Sequence, residues 1–599
     1  MRRGRFAEAQ KYFDRAIKTQ TERNPNPYEG EPYYNLGWSK KMQGDIDGAY
    51  DAFFKATWNA AWQDSGYMGL AQIDMIREDY TNGLDHIDRS LYRNWLNHKG
   101  RQLKVSFLRK TGDFAKAEAL INDSLAMDKF NMGCRFESYL IHTLQGNTEA
   151  AAAAKAEMKA LMRGAVHSYL EYAIDYASAG MYEEAAQLLS FVTEENEATY
   201  PMVYYALGYF ASKMGKKDEA LNLYKKAETM CPDYCFPNKL EEVLMLNDAM
   251  SLNPEGAKAP YYLGNFHYAA RIYDEAIACW EKSASIDDTY PTVLRNLSLA
   301  YYNKQHNPQK ALATLEKAYN LDTTDARILM ELDQLYKKLR YPHRQRLDFL
   351  EAHADVVEQR DDLCIERITL YNQLGEYQKA YDLINSRKFH PWEGGEGKVT
   401  SQYLLCRVEL AKIAIREGRF ADAVRLLKET EKYPDNLGEG KLSMAEENDI
   451  HYWMGCAYEG LGEEALAKEY FTKATKGSAE PAIAFFYNDQ QPDKIFYQGL
   501  AWRKLGEEDK ARSRFNRLIK HGEKHLFDKV KIDYFAVSLP DLLIWDDDLN
   551  VRNQIHCNLV MGMGYLGLGD KEQARKFLSE VARLDINHQA GKQLLEMCG

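Results

Sequence analysis

Three stretches of this 599-residue chain set aromatic rings beside carboxylates and glycine turns. The first is Phe389-His390-Pro391-Trp392-Glu393-Gly394-Gly395-Glu396-Gly397. The second is Tyr433-Pro434-Asp435-Asn436-Leu437-Gly438-Glu439-Gly440. The third runs Ile532-Asp533-Tyr534-Phe535-Ala536-Val537-Ser538-Leu539-Pro540-Asp541 and continues to Trp545-Asp546-Asp547-Asp548. Rings stack on ligand faces and carboxylates accept hydroxyl or amine protons, so these loops could build a polar ligand site. The expected ligand-binding set is Trp392, Glu393, Glu396, Tyr403, Asn436, Glu439, Asp533, Tyr534, Asp541 and Trp545. Two carboxylates could also flank a glycosidic bond as acid and base or nucleophile. Glu393, Glu396, Glu439, Asp533 and Asp541 are the candidates for that role, and no residue is assigned as catalytic. The plainer use is packing, with Trp392 and Trp545 as buried anchors and the glycines as turns. Both uses stay open at the level of sequence.

Other chemistry finds little support. There is no G-x-x-x-x-G-K-[ST] phosphate loop, no G-x-S-x-G nucleophile elbow and no H-E-x-x-H helix. His86, His142 and His267 each sit alone on a helix. Cys231 and Cys235 form a lone C-x3-C, where zinc would need four ligands at suitable spacing. No metal and no cofactor is therefore expected. Nine Cys is a sparse and odd number, which argues against a disulfide framework. The net charge of -12 gives no electrostatic footprint for nucleic acid. No window approaches the roughly 18 consecutive apolar residues of a membrane span. Met1-Arg2-Arg3-Gly4-Arg5 is followed by no apolar core, so it does not read as a signal peptide. A cytoplasmic location is the expectation.

The loops need a frame, and the frame is a repeat. A Gly at a helix–helix turn is followed by Ala five residues on, a large residue nine on and a small residue twelve on. Gly44 leads to Ala49, Phe53 and Ala56; Gly462 leads to Ala467, Phe471 and Ala474. Those offsets share one helical face, because spacings of four and three return to the same side. Turn positions fall at 4, 44, 78, 112, 146, 180, 215, 271, 306, 340, 375, 418, 462, 506 and 569. From 44 to 180 they are 34 residues apart. A second small residue sits seven before the turn: Gly37, Gly208, Gly264, Gly455, Gly499 and Gly562. Mid-helix Gly costs about 1 kcal/mol against Ala, so its recurrence implies close backbone contact between helices.

Period and offsets resemble the tetratricopeptide repeat. The expected fold is all-α: a right-handed superhelical solenoid of about fifteen helix pairs, with longer loops in the C-terminal third. Turn spacings of 43, 44, 44 and 63 there place the surplus between repeats, along one edge. Asn238 to Leu252 reads as an extra helix. The expected organisation is an N-terminal array over 1–235, an extra helix and linker over 236–258, central repeats over 259–386 and long-looped repeats over 387–599. Tyr204, Tyr205, Tyr261, Tyr262, Tyr301 and Tyr302 lie on first helices, which usually line the concave groove.

The three loops, with Asn24-Pro25-Asn26-Pro27-Tyr28, are similar to the C-terminal repeat region of a family of large bacterial proteins. That resemblance implies an N-terminal β-sandwich domain of unknown, sugar-related function ahead of the array. The first residues match a second helix without its partner, which fits such an arrangement. The leading expectation is a non-catalytic scaffold for a protein or peptide partner, or for an N-terminal domain of the same polypeptide. The alternatives are a carbohydrate-related protein whose edge loops assist sugar binding, and a glycoside hydrolase-like activity in those loops.

Overall fold

The computed structural model describes residues 1–26, 29–193, 200–392, 394–443, 445–482, 491–531 and 543–599. Among these, Glu393, Asp533, Tyr534 and Asp541 do not figure; those four expected site residues lie outside the described residues. Thirty-two α-helices and no strand occur in the described residues. Fourteen consecutive helix pairs account for most of them, with Phe6–Thr21, Leu240–Leu252, Ala354–Val357 and Gln589–Met597 as single helices. The chain is an all-α repeat solenoid.

All fifteen turn positions read from the repeat have positive φ. Eleven are Gly, with φ from 71° to 86°. The other four are Glu78 (57°), Arg271 (60°), His306 (52°) and Arg340 (66°). The left-handed conformation is therefore imposed by the motif and not by the glycine. Its cause is the helix end. At Gly44, the N–H of Asp45 reaches back to the Lys40 carbonyl at 3.0 Å. At Glu78, Asp79 does the same to Asp74 at 2.9 Å. This closure satisfies carbonyls left over by the helix and needs a left-handed residue between. The residue after the turn often caps the next helix: the carboxylates of Asp45, Asp79 and Asp113 accept from Gly48, Asn82 and Lys116 N–H groups.

The recurring first-helix glycines have a direct packing reason. A Cβ on Gly37 would lie 2.6 Å from Phe53, and one on Gly455 2.6 Å from Phe471. One on Gly264 would lie 2.5 Å from Trp280, and one on Gly562 2.6 Å from Leu578. In each case the partner is the large residue nine past the turn. The ring rests on bare helix backbone, and the two helices close over it.

The chain forms two compact units, 1–293 and 294–599. In the first, helix Leu240–Leu252 follows pair Met202–Lys213 and Lys217–Thr229. Its N-terminus is closed by Glu242, whose carboxylate accepts from the N–H groups of Asn238 (2.7 Å) and Lys239 (2.8 Å). It packs on Met202–Lys213 and on Lys258–Ala269. A buried network ties this unit's inner helices: Arg109 pairs with Glu137 at 2.7 Å and Glu184 at 3.1 Å, and Tyr176 donates to Glu137 at 2.9 Å.

In the second unit, late segments return to early helices. Asn587 accepts from Arg346 at 3.3 Å, lies 3.2 Å from His343 and donates to the Lys337 carbonyl at 3.4 Å. Gln402 and Gln589 bond through their amides at 2.9 Å. Beneath them, Arg346 bridges buried Asp333 at 2.7 Å and Glu366 at 2.7 Å. Burial pushes Glu366 up, but Lys337 and Arg346 outweigh it and hold it at about 2.

Candidate functional site

The expected site residues separate into three places. Glu439 and Asn436 meet the first loop. Both Glu439 carboxylate oxygens accept from the Gly397 N–H, at 3.1 and 3.0 Å, at the start of helix Lys398–Arg416. A carboxylate there is favoured by the helix dipole. The Asn436 amide donates to the carbonyls of Ile384 (2.8 Å) and Arg387 (3.0 Å), and its own carbonyl accepts from Phe389 N–H at 2.8 Å. The two loops are clasped to each other. Trp392, half-buried, covers Gly395 so closely that a Cβ on that residue would overlap its ring. Glu396 is partly exposed on the same turn.

Tyr403 is buried and donates to the Glu429 carbonyl at 3.1 Å. With Tyr381 and Tyr433 it borders an open hollow of ≈ 520 Å³ between helix Tyr377–Asn385 and residues 428–435.

Most of the groove tyrosines are joints between repeats. Tyr204, Tyr205, Tyr261, Tyr262 and Tyr301 are all buried. Tyr205 donates to Glu228 at 2.7 Å, and Glu228 accepts from the Lys258 N–H at 2.9 Å. The Tyr205 and Tyr262 rings meet edge to face at 5.9 Å, and Tyr261 meets Tyr290 at 5.2 Å. These rings pack between neighbouring helices.

Tyr302 differs. It is partly exposed, and its ring meets Trp545 edge to face at 5.2 Å. Trp545, expected as either a ligand contact or an anchor, is buried, and its indole N–H donates to the Glu331 carbonyl at 3.0 Å. Burial, then Asp547 and Asp546, push the Tyr302 phenol up.

Beside this contact lies a cavity of ≈ 850 Å³ in the second unit. Its lining includes the apolar residues Leu404, Leu405, Val551, Ile555, Leu559 and Met563. Several of its polar lining groups are ion-paired. Lys494 sits 2.6 Å from Asp449 and 3.2 Å from Asp493. Burial pulls its ammonium down, but the two carboxylates outweigh that and push it well above its usual value. Lys412 pairs with Glu409 at 2.7 Å, and Lys338 with Asp547 at 3.1 Å. Trp453 donates to the Tyr497 hydroxyl at 3.3 Å. Burial, with His521 nearby, pulls His556 down to about 4, and burial also lowers His588. A lining of this kind offers both apolar contact and fixed, paired polar groups.

Sequence reasoning missed these lining residues. They lie on first helices and on the last two pairs, and each looks like an ordinary solvated polar position. No spacing distinguishes Lys494 or Asp449 from other charged residues of the repeat. Among the described residues, no group of three His, Cys, Asp or Glu could hold a metal ion. Nor is any described helix long and apolar enough to cross a membrane.

Tetratricopeptide repeat family models match residues 203–234, 449–476 and 495–521. The chain contains tetratricopeptide repeats. It is similar to a tetratricopeptide repeat protein from Parabacteroides merdae at 17% identity, covering 42% of this chain and 92% of that one, with a TM-score of 0.27. It is similar to YrrB, described as a TPR protein with an unusual peptide-binding site, at 15% identity, covering 41% and 95%, with a TM-score of 0.15. A third similarity is to a chain of the APC/C hetero-tetramer Cut9-Hcn1, at 14% identity, covering 98% and 99%, with a TM-score of 0.23.

Proposed function

We propose that this chain is a non-catalytic scaffold that holds a polypeptide partner in the cavity of its second unit. The observation that carries the reading is the ≈ 850 Å³ cavity whose lining combines apolar side chains with ion-paired polar groups. A peptide presents apolar side chains and unsatisfied backbone groups together, and such a wall serves both. Partners within this reading are a separate protein or a further domain of the same polypeptide.

The sugar-binding and glycoside hydrolase readings draw less support. They rest on loop carboxylates, and Glu439 is already committed to the Gly397 N–H. Selection of a random peptide library on the immobilised full chain tests the proposal. Enriched peptides should lose binding to Leu405→Glu and Val551→Glu variants, which place a charge on the apolar lining. A folded chain that enriches no peptide, or peptides indifferent to both variants, refutes it.

A further inference from the structure

Residues 544–548, Ile544-Trp545-Asp546-Asp547-Asp548, lie across the ends of two neighbouring first helices, Pro291–Asn303 and Ala326–Lys338. The seat they occupy has the parts of a recognition site. The Asn303 side chain reads the main chain in both directions: its Nδ2 donates to the Ile544 carbonyl at 2.9 Å, and its Oδ1 accepts from the Asp546 N–H at 2.8 Å. Between those two backbone contacts, Trp545 is buried, with its indole N–H on the Glu331 carbonyl at 3.0 Å and the Tyr302 ring at its edge. The fully buried carboxylate of Glu331 is held by Arg295 at 2.7 Å and Arg327 at 3.1 Å, which anchors the residue whose carbonyl accepts from the indole. Two lysines flank the exit: Lys304 lies 3.3 Å from Asp546, and Lys338 3.1 Å from Asp547.

These contacts divide their labour. The Asn303 amide grips any backbone, so it supplies hold without selectivity. A pocket with a hydrogen-bond acceptor at its floor prefers indole, which is apolar with one N–H to place. The lysines are partly exposed, so their ion pairs add little holding energy. They do select an acidic flank and repel a basic one.

We infer that the Tyr302–Asn303–Glu331 seat is a docking site for segments of the form Trp followed by acidic residues, and that residues 544–548 are its resident occupant in cis. A partner segment of the same chemistry takes the seat by displacing the resident one. Asp547 and Tyr302 also border the cavity, so displacement opens one wall of it. The inference rests on the peptide-holding reading of that cavity and names the class of partner that gains entry.

The test uses a fluorescein-labelled peptide of residues 543–549 and the full chain. Trp545→Ala empties the seat. The variant should bind the peptide about 10-fold or more tightly than the wild type, because the resident segment no longer competes. Adding Asn303→Ala, or replacing the two flanking acids of the peptide by Lys, should reverse the gain. Binding by the folded Trp545→Ala chain that is no tighter than wild type overturns the inference. Should that variant fail to fold, the wild type decides: excess peptide must speed protease cleavage within residues 543–548, and an unchanged rate overturns it. A wild-type dimer that exchanges this segment reciprocally, seen by light scattering, also overturns it, since the occupant is then a second copy. Leu405→Glu separates the two readings. Library peptides that bind Leu405→Glu undiminished, with the Trp peptide still gaining on Trp545→Ala, sink only the cavity reading, whereas library peptides lost to Leu405→Glu, with the Trp peptide gaining nothing on Trp545→Ala, sink only this one.

Discussion

Replacing Gly37 by Ala should destabilise the first unit, although the same change in an isolated helix stabilises it. Ala is favoured over Gly mid-helix by about 1 kcal/mol. Against this stands the ring of Phe53, which is fully buried. A Cβ on Gly37 would lie 2.6, 2.7 and 2.9 Å from three of its ring carbons. Ordinary carbon contacts are near 3.5–4.0 Å, so the ring must retreat by roughly 1 Å. It has nowhere to go. On its other side Gly69 is as close, with a Cβ there 2.9 Å from the same ring. Tyr34 and Trp38 enclose the edges at 5.7 and 5.8 Å between centroids. Overpacking a tight core costs about 1–3 kcal/mol. The net effect is a loss of up to about 2 kcal/mol, or as much as roughly 30-fold faster amide exchange in helix Glu31–Met42 if it opens locally. Phe53→Leu removes the ring and should make Gly37→Ala neutral or stabilising, giving a coupling of about 2 kcal/mol in a double-mutant cycle. Hydrogen exchange followed by mass spectrometry, with urea titration as a second readout, measures all four chains. Stabilisation by Gly37→Ala alone, or additivity of the two changes within about 0.5 kcal/mol, refutes the packing account.

Four further outcomes follow from the structure. Arg271→Gly should raise stability by about 0.5–1 kcal/mol, because a left-handed L-residue costs about 1–2 kcal/mol and glycine's greater unfolded-state freedom returns part of it; a thermal melt that falls contradicts this. Gly112→Ala should lower stability by about 1 kcal/mol through backbone strain alone, since its Cβ would meet nothing within 4 Å. Arg346→Met leaves the buried Asp333 carboxylate unpaired and should cost about 3–5 kcal/mol, whereas Arg346→Met with Asp333→Leu should cost much less; equal losses in the two chains refute the ion-pair account. His556 titrates at about 4 when folded, below its ordinary value. The unfolded chain thus binds more protons between about 6.5 and 4, so this group's contribution is complete above pH 6.5 and is lost as pH falls toward 4. His556→Gln should flatten that part of the stability profile by on the order of 1–3 kcal/mol, and an unchanged slope in urea midpoints excludes the group as a cause.

Much of the fold was legible because it is local. The turn residues Glu78, Arg271, His306 and Arg340 lack the glycine signature, yet the period placed them and all four are left-handed. Gly264 and Trp280 sit 16 residues apart, within one helix pair, so their packing follows from helical spacing alone. The extra helix near 240 announced itself as surplus length. The loop residues were read less fully. Trp392 and Glu439 have composition that fits a ligand site as well as a clasp. What Glu439 contacts, the Gly397 N–H of another repeat, is not legible in the loop's own composition.

Sequence by itself determined the helix pairs, their turns and the glycine-on-ring contact inside each pair. These depend on residues within one period of 34, whose offsets a linear reading can measure. Only the tertiary structure decided that Trp545 rests on Glu331 and that Asn587 meets Arg346. Nearest-neighbour rules repeat identically along the array, and small rotations between repeats accumulate. Which distant helices finally meet depends on the sum of those rotations, a quantity that no single repeat's sequence displays.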